Sequence, residues 1–81
     1  MKISVDISLY PMNPDFETPI LAFIQRVRNS GFTILENPLT TQIYGDYDQV
    51  MDFLKSAMKE TFITEEMCVF TLKFVKGDRS L

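Results

Sequence analysis

The segment of residues 37–51 constrains the fold most strongly, because a turn, a strand and a helix start follow one another in it without a spacer. Asn37-Pro38 ends the preceding element, and the β-branched and aromatic residues of segment 40–44 favour a strand. Gly45 frees the backbone, and the carboxylate of Asp46 is then placed to cap a helix N-terminus. The middle of the chain is therefore predicted to be turn, strand and helix in succession.

Strict alternation in residues 2–10 predicts a first strand with one apolar face. One parity is apolar and the other polar, and the polar parity holds an acid, two hydroxyls and a phenol where a plain solvent face would more often carry Lys, Glu or Thr. The apolar parity is Ile3, Val5, Ile7 and Leu9, and the polar parity is Ser4, Asp6, Ser8 and Tyr10.

The remaining elements are predicted from helical spacing and turn residues. Thr18-Pro19 is interpreted as the cap and first residue of a helix that ends at Gly31. Segments 32–35 and 39–44 predict an antiparallel hairpin, a second amphipathic helix follows Asp46, and residues 68–75 alternate as a last strand. The apolar face of the first helix is Ile20, Phe23, Ile24 and Val27, and that of the second is Val50, Phe53, Leu54, Ala57, Met58 and Phe62.

The order strand, helix, strand, strand, helix, strand predicts an α+β, ferredoxin-like sandwich formed by residues 1–81 as one domain. We expect an antiparallel sheet of order 4-1-3-2 with both helices on one face, which places strand one mid-sheet. The polar parity of strand one then lies on the helix-free face. Because that face also carries valines and tyrosines, it suits pairing with a second copy, as a homodimer or homotetramer.

Composition argues against several classes of function. A net charge of -3 and a pI of about 4.7 argue against nucleic acid, and the series Lys73, Lys76, Arg79 is interpreted as a solvated face. No apolar run approaches the roughly 20 residues that cross a bilayer. Cys68 is the only cysteine, so a reduced, cytoplasmic location is expected. There is no histidine and no glycine-rich phosphate loop, so we expect no enzyme, although catalysis by Asp6 with Lys73 is conceivable.

Two segments resemble the thiamine-binding, YkoF-like proteins, a family of small DUF77-type ferredoxin-like chains. They are Ile7-Ser8-Leu9-Tyr10-Pro11 and residues 38–51, where a proline, a threonine, an extended pair, a glycine, an acid and an amphipathic helix follow in the family's order. The resemblance implies a homodimer or homotetramer that binds thiamine or its hydroxymethyl-pyrimidine portion without transforming it and needs no cofactor. Two features depart from the family pattern: the sequence ends at Leu81, where family members often continue into a further helix, and Thr40 stands at a position where a small residue is common.

The resemblance fits Ser8 and Thr41 best, with Tyr10 and Asp46 beside them. An aminopyrimidine needs an acceptor next to donors, and a thiazolium charge would be favoured by a carboxylate or an aromatic face. The candidate ligand-binding residues are therefore Asp6, Ser8, Tyr10, Thr40, Thr41 and Gln42, with no catalytic or metal-binding residue.

Each candidate also has a structural interpretation. Asp6 pairs with Lys73 across strands, Asp46 caps a helix, the hydroxyls satisfy backbone groups, and the tyrosines pack in an interface. The alternative function is a regulatory or structural ferredoxin-like oligomer that binds another small metabolite.

Overall fold

The structure is a computed structural model that describes residues 1–80. Its elements are β1 (Lys2–Pro11), α1 (Glu17–Arg28), β2 (Thr33–Glu36), β3 (Thr41–Asp46), α2 (Tyr47–Thr64) and β4 (Cys68–Lys76). The four strands are antiparallel in the order β2-β3-β1-β4, which is the predicted order 4-1-3-2 read from the other edge. The ferredoxin-like prediction is confirmed, and β1 lies between β3 and β4.

The core forms between the sheet and the two helices, which pack on the same face. The apolar parity of β1 faces it as predicted, because Ile3, Val5 and Ile7 are all almost fully buried. The fully packed core consists of Ile3, Val5, Ile7, Phe23, Val27, Ile43, Val50, Leu54 and Ala57. The opposite side of the sheet carries no helix and is called the open face below. It presents Ser4, Asp6, Ser8 and Tyr10 of β1.

The first helix begins earlier than predicted. It starts at Glu17, and the Thr18 backbone N–H and hydroxyl both donate to the Asp15 carboxylate, at 3.3 and 3.1 Å. Thr18 is therefore a helical residue and not the cap. Pro19 fits inside the first turn because the N–H groups there have no intrahelical partner.

The predicted role of Gly45 is also wrong. Gly45 is an ordinary strand residue opposite Ile3, whereas positive φ occurs at Gly31 (85°) and Gly77 (95°). A Cβ on Gly45 would lie 2.9 Å from Phe32 Cδ1 and 3.0 Å from Val50 Cγ2. Glycine is required here because the strand passes close to the core, and the helix cap follows directly at Asp46.

The second helix uses Thr61 where the pattern predicted Phe62. Thr61 is buried, and its hydroxyl donates to the Ala57 carbonyl at 3.0 Å. The polar group on the core face thus has a hydrogen-bond partner within its own helix. Phe62 is 54% exposed and contacts Phe70 edge to face. Within residues 1–80, neither helix is long and apolar enough to span a membrane.

Candidate functional site

A gap opens beside the second half of β1, because β3 is shorter than β1. β3 begins at Thr41 opposite Ile7, so the strand residues after Ile7 have β4 on one side and no strand on the other. A cavity of about 270 Å³ lies on the side of β1 where no strand is present. We call it the strand-end gap; it is bordered by residues 7–10 of β1, Ile20, Phe23 and Ile24 of α1, and residues 37–41.

The backbone of Leu9 faces the strand-end gap without a partner. In a strand the N–H and C=O of one residue point to one side and those of the next to the other. The carbonyls of Met1 and Ile7 are engaged on the β3 side, whereas the Lys2 carbonyl and the Met12 N–H are engaged on the β4 side. The backbone N–H and C=O groups of the odd-numbered residues of β1 therefore point towards β3. At Leu9 there is no strand on that side to pair with them.

Pro11 agrees with this geometry. It has the same parity as Leu9, and proline lacks the N–H that a paired position would need. Within residues 1–80, no side chain or loop backbone bonds to Leu9. Leu9 thus offers one donor and one acceptor side by side at the wall of a partly apolar cavity.

The loop 37–40 forms the opposite wall of the strand-end gap and is held by its own side chains. The Asn37 amide oxygen accepts from the backbone N–H groups of Leu39 and Thr40, at 2.9 and 3.0 Å. Thr40 lies outside β3, which begins at Thr41 and not at residue 39 or 40 as predicted. Its hydroxyl donates to Asp6 and lies 3.3 Å from the Ile7 carbonyl oxygen. Thr40 therefore ties the loop to β1.

Asp6 lies at the centre of the open face. It pairs with Gln42 of β3 and Lys73 of β4 in the sheet register, and its carboxylate is 3.8 Å from the Lys73 ammonium. The predicted cross-strand ion pair is thus present. Gln42 accepts a hydrogen bond from the Tyr44 hydroxyl through Oε1, which leaves its amide NH₂ directed elsewhere.

The segment after β4 lies against the open face. Gly77 turns the chain with φ of 95°, and the buried Ser4 hydroxyl then donates to the Gly77 carbonyl and accepts from the Arg79 N–H, both at 2.8 Å. A hollow of about 250 Å³ lies beside this crossing and is bordered by Asp6, Gln42, Lys73 and Arg79, among others. We call it the open-face hollow.

The structure places the six candidate residues in two adjoining groups. Ser8, Tyr10, Thr40 and Thr41 border the strand-end gap, whereas Asp6 and Gln42 border the open-face hollow. Thr41 is opposite Ile7 and so lies on the helix side of the sheet, and its hydroxyl has no partner within residues 1–80. A third cavity, of about 440 Å³, is bordered by Asp6, Ser8 and Thr40 and so shares residues with both groups.

Sequence reasoning missed the Leu9 backbone and the position of Arg79. Side-chain patterns do not report backbone groups, although Pro11 in the same parity was a usable signal of an unpaired side. Gly77 after a strand signalled a turn back towards the sheet, and Arg79 follows it directly.

Asp46 is excluded from this region by its position at the far end of the sheet, opposite Lys2. Its carboxylate accepts from the Gln49 N–H and lies 3.4 Å from the Met1 amino group, and these contacts lower the pKa of Asp46. Burial raises the pKa of the Cys68 thiol, so that thiol is not activated. No group of three His, Cys, Asp or Glu side chains suited to a metal ion occurs among residues 1–80.

Solved structures share this fold at low sequence identity. A Thermotoga maritima protein, provisionally named a thiamine biosynthesis/salvage protein, matches with a TM-score of 0.86 and 20% identity over 95% of this chain and 85% of its own. A Streptococcus pneumoniae protein matches with a TM-score of 0.88 and 22% identity over 98% and 90%. The DUF77 domain of unknown function from Bacillus cereus matches with a TM-score of 0.80 and 18% identity over 98% and 79%.

Sequence comparison identifies the family, whereas the structural likenesses show only the fold. Among curated proteins, no sequence matches this chain. The profile of the YKOF-related family, however, matches residues 2–77, which is nearly the whole chain. The chain therefore belongs to the YkoF-related family.

Proposed function

We propose that this protein binds thiamine or its hydroxymethyl-pyrimidine portion in the strand-end gap, without transforming it, as a cytoplasmic homo-oligomer. The observation that carries the proposal is the unpaired N–H and C=O of Leu9 at the wall of the gap. Family membership and a thiamine-related structural neighbour support the choice of ligand.

The Leu9 backbone is complementary to an aminopyrimidine edge. Such a ring carries an amine donor next to a ring nitrogen acceptor, so the amine would donate to the Leu9 carbonyl while the ring nitrogen accepts from the Leu9 N–H. The unpaired hydroxyl of Thr41 adds a donor or acceptor on the helix side. Three polar groups in fixed positions can define the orientation of one flat ring.

The remainder of the gap suits the faces of that ring. Ile20, Phe23 and Ile24 supply an apolar floor from α1, and Tyr10, which is 50% exposed, supplies an aromatic side chain at the rim. Burying a ring against such a floor contributes roughly 25 cal/mol per Å² of apolar surface removed from water. The polar groups would then provide selectivity and the floor most of the affinity.

Assembly through the open face forms part of the proposal. The exposed Leu35, Tyr10 and Val69 leave apolar surface there, and the segment after Gly77 covers only the part around Ser4. A second copy packed on the uncovered part would also close the third cavity, which lies beside Ser8 and Thr40. Light scattering after size exclusion should therefore give twice or four times the chain mass.

The ligand is tested by thermal unfolding with thiamine, hydroxymethyl-pyrimidine and a panel of amino acids. A ligand at a hundred times its dissociation constant stabilises the folded state by about 2.7 kcal/mol, which raises the Tm of a small domain by roughly 10 °C or more. Mass spectrometry of the incubated ligand should return it unchanged. A Tm shift with the amino acids alone would instead favour the regulatory oligomer.

A matched pair of variants locates the site. Thr41→Val keeps the side-chain shape and removes the hydroxyl from the gap, so we expect affinity to fall about fivefold, the value of one neutral hydrogen bond. Thr33→Val makes the same change on the exposed strand β2 and should leave affinity unchanged. Equal affinities of the two variants would place the ligand outside the strand-end gap.

A further inference from the structure

The open-face hollow is surrounded by hydrogen-bond donors, although the chain as a whole is acidic. Lys73 and Arg79 bring two positive charges to its border, and Asp6 brings the one negative charge. The charge around the hollow is thus opposite in sign to the net charge of -3. A hollow of this sign attracts an anion.

The polar groups around the hollow are arranged to donate. The Tyr44 hydroxyl donates to Gln42 Oε1, so Gln42 has its NH₂ group left for a ligand. The Asp6 carboxylate, the one charged acceptor here, is already engaged by Thr40 and by Lys73 at 3.8 Å. An amide, an ammonium and a guanidinium group therefore have free donors.

Arg79 is held at this border by its backbone and not by its side chain. Its N–H donates to the buried Ser4 hydroxyl at 2.8 Å, whereas its guanidinium makes only a long contact of 3.5 Å to the Lys76 carbonyl. The backbone is fixed while the guanidinium is still able to engage a ligand. Planar guanidinium groups bind phosphate oxygens in bidentate fashion.

The hollow adjoins the proposed ligand site. Asp6 and Lys73 border both the hollow and the third cavity, which reaches Ser8 and Thr40 at the strand-end gap. Asp6 and Ser8 are two residues apart on one strand face, a separation of about 7 Å. A ring in the gap could thus carry a short substituent that reaches the hollow across the open face.

We propose that the open-face hollow binds a phosphate group through Gln42, Lys73 and Arg79, and that the preferred ligand is a phosphate monoester of the hydroxymethyl-pyrimidine. The identity of the ring rests on the function proposed above, whereas the anion site rests on the hollow alone. The hollow does not attract a thiazolium cation, because two of the three charged groups that border the hollow are themselves positive.

Calorimetric titration with three probes tests the inference: hydroxymethyl-pyrimidine, its phosphate monoester and inorganic phosphate. Because charge-assisted hydrogen bonds contribute more than neutral ones, the ester should bind about tenfold or more tightly than the unphosphorylated pyrimidine. The variant K73Q/R79Q should abolish that advantage, because it removes both positive charges of the hollow. It should keep the segment after β4 in place, because Ser4 bonds only the Arg79 backbone. The control K55Q/K59Q removes the same charge from exposed positions of α2 and should preserve the advantage.

The outcomes separate the two proposals. Equal affinity for pyrimidine and ester, or an advantage that K73Q/R79Q leaves intact, overturns the phosphate site while the proposed function stands. If neither pyrimidine binds but inorganic phosphate binds in a manner that K73Q/R79Q abolishes, the function fails and the anion site stands. Absence of binding by all three probes overturns both.

Discussion

Replacing Ser4 with alanine should release the segment after β4 from the sheet. The Ser4 side chain is buried, donates to the Gly77 carbonyl and accepts from the Arg79 N–H, both at 2.8 Å. Because water can reach the two backbone partners once the hydroxyl is gone, each lost bond costs about 0.5–1 kcal/mol, and the variant should lose about 1–2 kcal/mol of unfolding free energy. For a domain of this size that lowers Tm by about 5–10 °C.

Urea unfolding of five proteins isolates this effect: the full chain, two single variants of it, and two shortened chains. Ser8→Ala is the matched control, because Ser8 has the same strand, parity and residue type and makes no side-chain hydrogen bond within residues 1–80. Chains ending at Lys76, with and without Ser4→Ala, complete a double-mutant cycle. If Ser4→Ala costs as much in the shortened chain as in the full one, the hydroxyl does not act through this segment and the reasoning is wrong.

Three further changes test other parts of the structure. Gly45→Ala should destabilise by about 1–3 kcal/mol in urea unfolding, because its Cβ would be 2.9 Å from Phe32, and a cost below 0.5 kcal/mol would contradict that packing. Asn37→Ala frees the loop beside the gap and should weaken pyrimidine binding in calorimetry, while unchanged affinity would show that the loop is not a wall of the site. Contacts with the Gln49 N–H and Met1 lower the Asp46 pKa, so their stabilisation is present above its ordinary value of 3.8 and is lost as pH falls through the lowered one. Asp46→Asn should therefore show a shallower loss of stability below that pH, and parallel acid curves would refute the assignment.

The sheet could be predicted because burial repeats with the period of a strand. Ile3, Val5 and Ile7 must share a face, and that face must be covered by helices that the chain supplies after β1 and β3. Strand order then followed from short connections and right-handed crossovers. The role of Gly45 was not predicted, because it depends on a close contact in the folded protein. A side chain at this position would collide with Phe32, and no local sequence pattern encodes that contact.

The candidate site was only half predictable, for a related reason. The polar side chains of Asp6, Ser8 and Gln42 indicate a polar sheet face. The strand-end gap, however, exists because β3 begins at Thr41 while β1 continues to Pro11. A difference in strand length changes which backbone groups are paired without changing any side chain. The Leu9 donor and acceptor could therefore be found only once the register was known.

Backbone amide NMR during titration with hydroxymethyl-pyrimidine tests the central claim most directly, since it reports each N–H group separately. The largest shifts should belong to Leu9 and Thr41, with smaller ones at Thr40, while exposed amides of α2 stay in place. A further hollow lies at the start of β1 and is bordered by Met1, Tyr47 and Met51. Saturable binding whose shifts bypass Leu9 and cluster at that hollow, or no shifts at all, would contradict a ligand site at the end of β1.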